Sequence, residues 1–215
     1  MNRNLLVLLC LTASMTAACH SSKVELKNQS APAGRAANQP SYKAGPQPTE
    51  AELRDAIKRN YEDVVMIDSG KSTSFVIGDF NGDAAEDVAV VVKPGKGKLA
   101  ELNSEYVNWI LEDPHQVQGR EQKTSKVPVT ITRNDSLLAV IHGIKGEGWR
   151  NAMAKQTYLL KNAVGERFAT ESGQQLNDGS KRLPLLRGDV IREKLDGADG
   201  IIYWTGAKYA WHPVS

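Results

Sequence analysis

The 215-residue chain has few cysteines, few aromatic residues and no long apolar run. Its only cysteines, Cys10 and Cys19, both precede residue 20, so the rest of the chain cannot form a disulfide. No apolar run approaches the roughly 20 residues that a membrane-spanning helix needs. The formal net charge is only +2, which gives no electrostatic case for nucleic-acid binding.

Recognisable catalytic motifs are also missing. No two of the four histidines form a His-x-x-x-His pair, and no cysteine is left to complete a zinc site. No Gly-x-Ser-x-Gly elbow occurs, so an esterase-type nucleophile has no support. We therefore expect a protein that is not an enzyme. A hydrolase stays as an alternative, and it would need a concave pocket with converging acids.

The N-terminus has the three parts of an export signal. Arg3 is followed by an apolar core at residues 5–11 and by small residues that end at Cys19. The segment Thr16-Ala17-Ala18-Cys19 resembles a lipobox, in which a peptidase cuts before a cysteine whose thiol carries diacylglycerol. The resemblance implies a signal peptide at residues 1–18 and lipidation of Cys19. The alternative is an ordinary secretory signal.

A lipidated Cys19 would bind the protein to a membrane. His20 follows it, whereas many Gram-negative lipoproteins retained at the inner membrane have aspartate there, so we expect an outer-membrane lipoprotein that faces the periplasm. Residues 19–48, rich in Ser, Ala, Gly, Asn, Gln and Pro, predict a flexible tether. Residues 49–215 form a single predicted domain.

The pattern of this domain predicts an α+β fold, a mostly antiparallel sheet with two helices packed on it. Thr49 and Glu52 form a capping-box pattern before a helix at residues 51–60. Helical spacing returns over residues 98–112 and ends at Pro114. A polar stretch at residues 171–182 predicts a loop. Strands are predicted at residues 73–80, 87–92, 127–132, 136–142, 157–160, 189–193, 200–204 and 208–211, the third pairing with the fourth and the last two forming a hairpin.

Residues 79–87 carry the sharpest chemical pattern. Oxygen-bearing side chains stand at relative positions 1, 3, 5 and 9, and a backbone carbonyl is available at position 7, as a calcium loop requires. The segment Val76–Val90 resembles an FG-GAP/VCBS-type repeat unit. That resemblance implies calcium as the cofactor, and the implied ligands are Asp79, Asn81, Asp83, the carbonyl of Ala85, and Asp87.

The loop also has a plainer interpretation. Asn81-Gly82 between two strand patterns is a common hairpin turn, and aspartates often flank turns. Calcium loops usually have glycine at position 6, where φ is positive. This chain has Ala84, at a cost of about 1 kcal/mol. A calcium site and an acidic turn without metal remain equal alternatives.

Two further segments are candidates for binding. Residues 142–149 form a glycine-rich stretch, either an irregular loop closed by a packed Trp149 or an anion-binding loop. The C-terminal hairpin is rich in aromatic residues, which either close the core or bind a protein or glycan partner. The candidate partner-binding residues are Trp149, Tyr203, Trp204, Tyr209 and Trp211.

The sequence thus predicts a tethered, non-enzymatic binding domain of the cell envelope with a structural calcium loop. Some periplasmic lipoproteins with comparable Asp-rich loops resemble inhibitors of lysozyme-like peptidoglycan hydrolases. An inhibitor or immunity protein is therefore the alternative function. For that function, the loop Gly143–Gly148 is the segment best suited to plug a hydrolase cleft.

Overall fold

The computed structural model describes residues 42–70, 74–118, 123–124, 127–179 and 183–214. The predicted signal peptide, Cys19 and most of the predicted tether lie outside these ranges. The described helices are α1 (Glu50–Tyr61), α2 (Leu99–Leu102) and α3 (Gly173–Gly179). The described strands are β1 (Val65–Ile67), β2 (Phe75–Gly78), β3 (Asp87–Pro94), β4 (Ile110–Glu112), β5 (Val117–Gln118), β6 (Lys123–Thr124), β7 (Leu137–Ile141), β8 (Thr157–Leu160), β9 (Ala169–Glu171), β10 (Val190–Leu195), β11 (Ala198–Trp204) and β12 (Tyr209–Pro213). None of the described helices has the length and hydropathy needed to cross a bilayer.

Two mainly antiparallel sheets build the domain, which confirms the predicted α+β class. The first has the order β1-β3-β7-β8-β4, and β2 also pairs with β3. Among the described strands of this sheet, only β4 and β8 form a parallel pair. The second sheet has the order β12-β11-β10-β9, and β5 and β6 form a separate ribbon.

Strand β3 lies at the centre of the first sheet and is buried on both faces. Val88, Val90 and Val92 pack in the cluster that contains α1. Ala89 and Val91 point the other way, into the cluster shared with the second sheet. Because the side chains of a strand alternate between its faces, burial on both sides requires an unbroken apolar run. The dense β-branched run at residues 87–92 predicted this central strand correctly.

Helix α1 covers the outer face of the first sheet and begins as predicted. The Thr49 hydroxyl accepts a hydrogen bond from the Glu52 N–H at 3.2 Å, and Glu52 Oε2 accepts one from the Thr49 N–H at 2.8 Å. This reciprocal pair satisfies two donors that the helix itself leaves free. The stripe that α1 buries contains Leu53, Ala56, Ile57 and Tyr61.

Tyr61 fixes the end of α1 to the middle of the sheet. Its side chain is fully buried, and its hydroxyl lies 3.0 Å from the Val140 carbonyl and 2.8 Å from the Tyr158 carbonyl. Its ring packs against Trp109, with the ring centroids 5.8 Å apart. One side chain therefore joins the helix to both β7 and β8.

The predicted helix at residues 98–112 was wrong beyond its first turn. Only α2 is helical there, and the segment ends in strand β4. The Asn103 side chain donates to the carbonyls of Leu99 and Ile131 and accepts from the Ile131 N–H. A side chain that bonds the backbone in this way competes with the helix and ends it. Pro114 begins a short 3-10 turn instead of ending a helix.

The predicted strand at residues 127–132 was also wrong. Both polar groups of the Ile131 backbone bond Asn103, so they cannot join a ladder. Strand β7, its expected partner, pairs with β3 on one side and β8 on the other. The hairpin predicted across residues 134–135 therefore does not form.

The segment 171–182 was predicted as a loop, whereas its described part contains the end of β9 and helix α3. Leu176 of α3 packs against Leu186, Val190 and Ile201 on the outer face of the second sheet. Leu176 is a single apolar residue in a polar stretch, so the sequence has no helical periodicity there from which α3 could be predicted. The strands predicted at residues 157–160, 189–193 and 200–204 and the final hairpin are confirmed, with end shifts of up to two residues.

We expect Tyr61→Phe to lower the free energy of unfolding by about 1–2 kcal/mol, because two buried carbonyls lose a hydrogen-bond donor while the ring packing stays. Urea denaturation measures this change. Tyr106→Phe is the matched control: Tyr106 is 97% exposed, and we expect a change within about 0.5 kcal/mol. Equal effects of the two variants would contradict the role of the Tyr61 hydroxyl in joining α1 to the sheet.

Candidate functional site

The acidic loop, residues 79–87, joins β2 to β3 and is organised around Asp79. The Asp79 carboxylate accepts hydrogen bonds from the N–H groups of Gly82, Asp83 and Ala84 at 2.8–3.0 Å. The chain turns sharply, with φ of 79° at Gly82 and 66° at Ala84. Ala84 thus adopts the left-handed conformation that the calcium-loop pattern predicts at position 6, and it does so without the advantage of glycine.

Two smaller turns are nested inside the acidic loop. The Asp83 N–H donates to Asn81 Oδ1 at 3.0 Å, and the Ala85 N–H donates to Asp83 Oδ1 at 2.8 Å. Asn81 Nδ2 donates to Asp83 Oδ2 at 2.9 Å. Asp83 is exposed whereas Asp79 is buried, so the loop has a solvent side and a protein side.

Asp87 closes the loop from its far end. This fully buried carboxylate accepts from the Phe80 and Asn81 N–H groups through Oδ2. Its Oδ1 accepts from the Gly143 N–H at 2.6 Å. Burial raises the pKa of Asp87 well above its usual range, and the negative charges of Asp83 and Asp79 add to the increase. Backbone N–H groups therefore stabilise this carboxylate from two separate loops.

A further carboxylate, Asp189, reaches the loop from the start of the second sheet. Asp189 Oδ2 accepts from the Asp79 N–H at 3.0 Å, and the Asp189 N–H donates to the Asp79 carbonyl at 2.7 Å. Burial raises the pKa of Asp189, and Asp79 contributes to the increase through its charge. A Cβ on Gly188 would overlap the Asp79 carbonyl, so the two segments need glycine to approach this closely. Sequence reasoning missed Asp189, because it is 110 positions from Asp79 and no local pattern connects the two.

The oxygen atoms of the acidic loop are of the kind that binds calcium, but in this structure they do not point to one common centre. Carboxylate, amide and carbonyl oxygens are the hard ligands that Ca²⁺ prefers. Both oxygens of Asp79 and both of Asp87 already accept backbone hydrogen bonds. A bound ion would need oxygens of Asp79, Asp83 and Asp87 to turn towards one centre.

A compact acidic trio does occur elsewhere in the described ranges. Ligand atoms of Glu62, Asp63 and Glu101 all lie within 4.8 Å of one another, and all three residues are exposed. Lys98 forms ion pairs with Asp63 at 2.9 Å and Glu101 at 3.2 Å. A lysine already supplies positive charge there, so the trio is a surface ion-pair cluster.

Glu86, next to Asp87, joins the acidic loop to the glycine-rich loop. Its buried Oε1 accepts from Trp149 Nε1 at 2.9 Å and Arg150 Nη1 at 2.6 Å, and its carbonyl accepts from the Trp149 N–H. The Arg150 guanidinium lies 4.2 Å above the Trp149 ring and donates to Glu52 as well. An ion pair with a buried carboxylate and this many hydrogen bonds holds its neighbours in one geometry.

The glycine-rich loop has a tightly held base and an exposed tip. A Cβ at Gly143 or Gly148 would overlap the Glu86 carbonyl, so the base packs directly on the backbone of the acidic loop. Residues Lys145–Glu147 form an exposed 3-10 turn, in which Lys145 has a φ of 55°. Trp149 is buried beneath the loop, in agreement with the first of the two alternatives from the sequence.

The aromatic residues proposed for partner binding divide into two groups. Trp149, Trp204 and Tyr209 are buried in the core, so they cannot present their rings to a partner, and the exposed-patch interpretation is corrected for these three. Tyr203 and Trp211 are partly exposed and stay available. Alternation along β11 sends Trp204 towards the first sheet and Tyr203 to the outer face. Trp211 lies on the same face as Tyr209 and is partly exposed near the end of β12.

A buried histidine that the sequence did not single out lies between the two sheets. His142 Nε2 is 2.7 Å from the Tyr209 hydroxyl, and the rings of Tyr158 and Trp204 lie about 5 Å away. Burial lowers the pKa of His142 to about 4. These four residues come from four strands or strand ends, so no local pattern could bring them together.

Comparison of the chain with protein-family models, with curated proteins and with solved structures gives no match. Its function has to be inferred from the chemistry of the acidic loop and its neighbours.

The pKa of His142 predicts an acid-dependent loss of stability. The unfolded histidine has a pKa near 6.5, so between pH 6.5 and pH 4 it is protonated in the unfolded state and neutral in the folded state. Because the unfolded state binds more protons there, the free energy of unfolding falls as the pH falls through this window. We expect wild type to lose about 3 kcal/mol more than His142→Gln between pH 7 and pH 4. Urea denaturation across this pH range measures the difference. Both proteins contain the same carboxylates, so the contribution of these groups to the pH dependence cancels. A difference that stays constant with pH would contradict the prediction.

Proposed function

We propose that the chain is a non-enzymatic binding domain of the cell envelope, tethered to the outer membrane through Cys19, whose acidic loop is stabilised by one Ca²⁺. One observation carries the calcium part of this proposal. Asp79 and Asp87 are buried at a turn that has the calcium-loop spacing and a positive φ at position 6, and the described hydrogen-bond partners of the Asp87 carboxylate are all backbone N–H groups.

Electrostatics supports the presence of a cation. Burying an ionised carboxylate is costly unless a positive charge or several hydrogen bonds compensate it. The pKa values of Asp87 and Asp189 are raised, so in this arrangement their charged forms are disfavoured. Asp79 lies between them and adds to both increases. A divalent cation beside these groups would favour the charged forms and stabilise the loop.

Calcium in this position would act as a cross-link. The acidic loop bonds the glycine-rich loop through Asp87 and the second sheet through Asp189. The predicted domain has no cysteine, so an ion there would replace the constraint that a disulfide gives to many exported proteins. The residues that would hold the ion are Asp79, Asn81, Asp83, the carbonyl of Ala85, and Asp87.

We expect calcium to raise the melting temperature of the full chain in mild detergent. At a concentration 100 times Kd, binding stabilises by about 2.7 kcal/mol, which is a shift of several degrees. Asp83→Asn should remove the shift, because the variant loses the negative charge of Asp83. The asparagine amide oxygen keeps a hydrogen-bond acceptor for the turn. Asp55→Asn, an exposed aspartate on α1, is the matched control and should keep the full shift.

The melts compare millimolar calcium with chelator, since a weak site of the extracellular kind binds in this range. An equal calcium shift in wild type and Asp83→Asn would assign the effect to another site. The absence of any shift in wild type would leave the acidic turn without metal as the correct alternative.

A second function, inhibition of a peptidoglycan hydrolase, is favoured by the glycine-rich loop. Its base is held by Glu86 and Asp87, whereas Lys145, Gly146 and Glu147 stand exposed. Lys145 keeps a positive φ that disfavours every residue except glycine, and such strain is concentrated at functional sites. A rigid protruding tip loses little entropy when it enters a cleft.

A purified lysozyme-type muramidase tests this second function. We expect the full chain to inhibit it, and Lys145→Ala combined with Glu147→Ala to weaken inhibition at least about tenfold, the loss typical of a contact at the centre of an interface. Lys96→Ala, which changes an exposed lysine flanked by Gly95 and Gly97, should inhibit like wild type. Inhibition that is equal in all three proteins would exclude the loop tip as the contact.

A further inference from the structure

The segment before α1 contacts the site, although it falls within the predicted tether. The Gly45 N–H donates to Glu86 Oε2 at 2.6 Å, and Arg150 Nη2 donates to the Pro46 carbonyl at 2.6 Å. Tyr42 is half-buried. Burial and the charges of nearby carboxylates, first that of Asp189, raise its pKa to about 12. We call residues 42–48 the strap.

Polar bonds hold the strap, and little apolar burial supports them. Residues 43–47 are exposed, and the two hydrogen bonds described above both end on the Glu86–Arg150 ion pair. Segments that bury little apolar surface open at a lower free energy than the core does. The strap can therefore leave the domain without unfolding it.

One carboxylate serves both the strap and the glycine-rich loop. Glu86 Oε2 accepts from Gly45, whereas Oε1 accepts from Trp149 and Arg150. Residues of the strap and of the loop tip line one cleft of about 340 Å³, together with Glu86 and Arg150. A movement of the Glu86 carboxylate therefore affects the strap and the base of the glycine-rich loop together.

We propose that the strap is a reversible latch on the Glu86–Arg150 pair, through which the position of the tether is coupled to the base of the glycine-rich loop. Release of the seven strap residues lengthens the connection to the anchor by up to about 24 Å. That consequence rests on the proposed lipid anchor at Cys19. The latch itself depends on neither calcium nor a hydrolase.

Gly45→Ala tests the latch, because a Cβ there would meet Arg150 Nη1 at 2.8 Å and Glu86 Oε1 at 3.2 Å. Either the strap lifts, which breaks the Gly45–Glu86 bond, or the end of the Arg150 side chain moves, which weakens its bond to the Pro46 carbonyl. Gly146→Ala is the matched control, since a Cβ at Gly146, which lines the same cleft, would meet no atom of the described residues within 4 Å. Glu86→Gln is a second variant, in which an amide nitrogen can replace the acceptor of the Gly45 N–H.

Amide hydrogen exchange is read by NMR on the full chain in mild detergent with chelator and no partner. We expect the Gly45 amide to be protected in wild type and in Gly146→Ala. In Gly45→Ala and Glu86→Gln, exchange at position 45 should be about tenfold faster or more, because a hydrogen bond to a charged group is lost. The Trp149 amide, which bonds the Glu86 carbonyl, should also exchange faster.

Two results would overturn the proposal. An unprotected Gly45 amide in wild type would mean that the strap does not dock. Faster exchange at position 45 with an unchanged Trp149 amide would mean that the strap and the glycine-rich loop are independent. Because calcium and muramidase are absent, neither result bears on the proposed function, and failure of that function would leave the latch intact.

Discussion

The rest of the site depends on the hydrogen bonds that two adjacent buried carboxylates, Glu86 and Asp87, accept. Asp87 accepts N–H groups from the acidic loop and from Gly143, and Glu86 binds Trp149, Arg150 and the strap. Each hydrogen bond to a charged group contributes about 1.5–3 kcal/mol, and removal of one partner leaves a buried charge uncompensated. The start of the central strand is thus the point where three surface segments are joined.

Features of the fold that depend on neighbouring residues were predictable from the sequence. The capping box of α1, the buried run of β3 and the alternation in the final hairpin are such local signals. The errors at residues 98–112 and 127–132 have one common cause. Asn103 bonds the backbone of Ile131, 28 residues away, and this contact both ends α2 and removes Ile131 from any ladder. The periodicity of apolar residues cannot reveal a hydrogen bond between a side chain and a backbone so far away in the sequence.

The site divides in the same way. The turn at residues 79–87 was predictable from the spacing of the aspartates, and the positive φ of Ala84 agrees with the resemblance to a calcium loop. Asp189 and the strap were beyond prediction, because they reach the loop from distant positions, and a polar tether sequence gives no sign of docking. Alternation predicted that Trp204 and Tyr203 lie on opposite faces of β11, but only the packing of the two sheets decides which face is buried.

A calcium ion in the acidic loop is the central claim, and a crystal structure of the full chain grown in millimolar calcium tests it most directly. The account predicts one ion at 2.3–2.6 Å from oxygens of Asp79, Asn81 and Asp83 and from the Ala85 carbonyl, with Asp87 turned towards it. A loop without an ion, in which Asp79 and Asp87 keep all their backbone hydrogen bonds at that concentration, would contradict it.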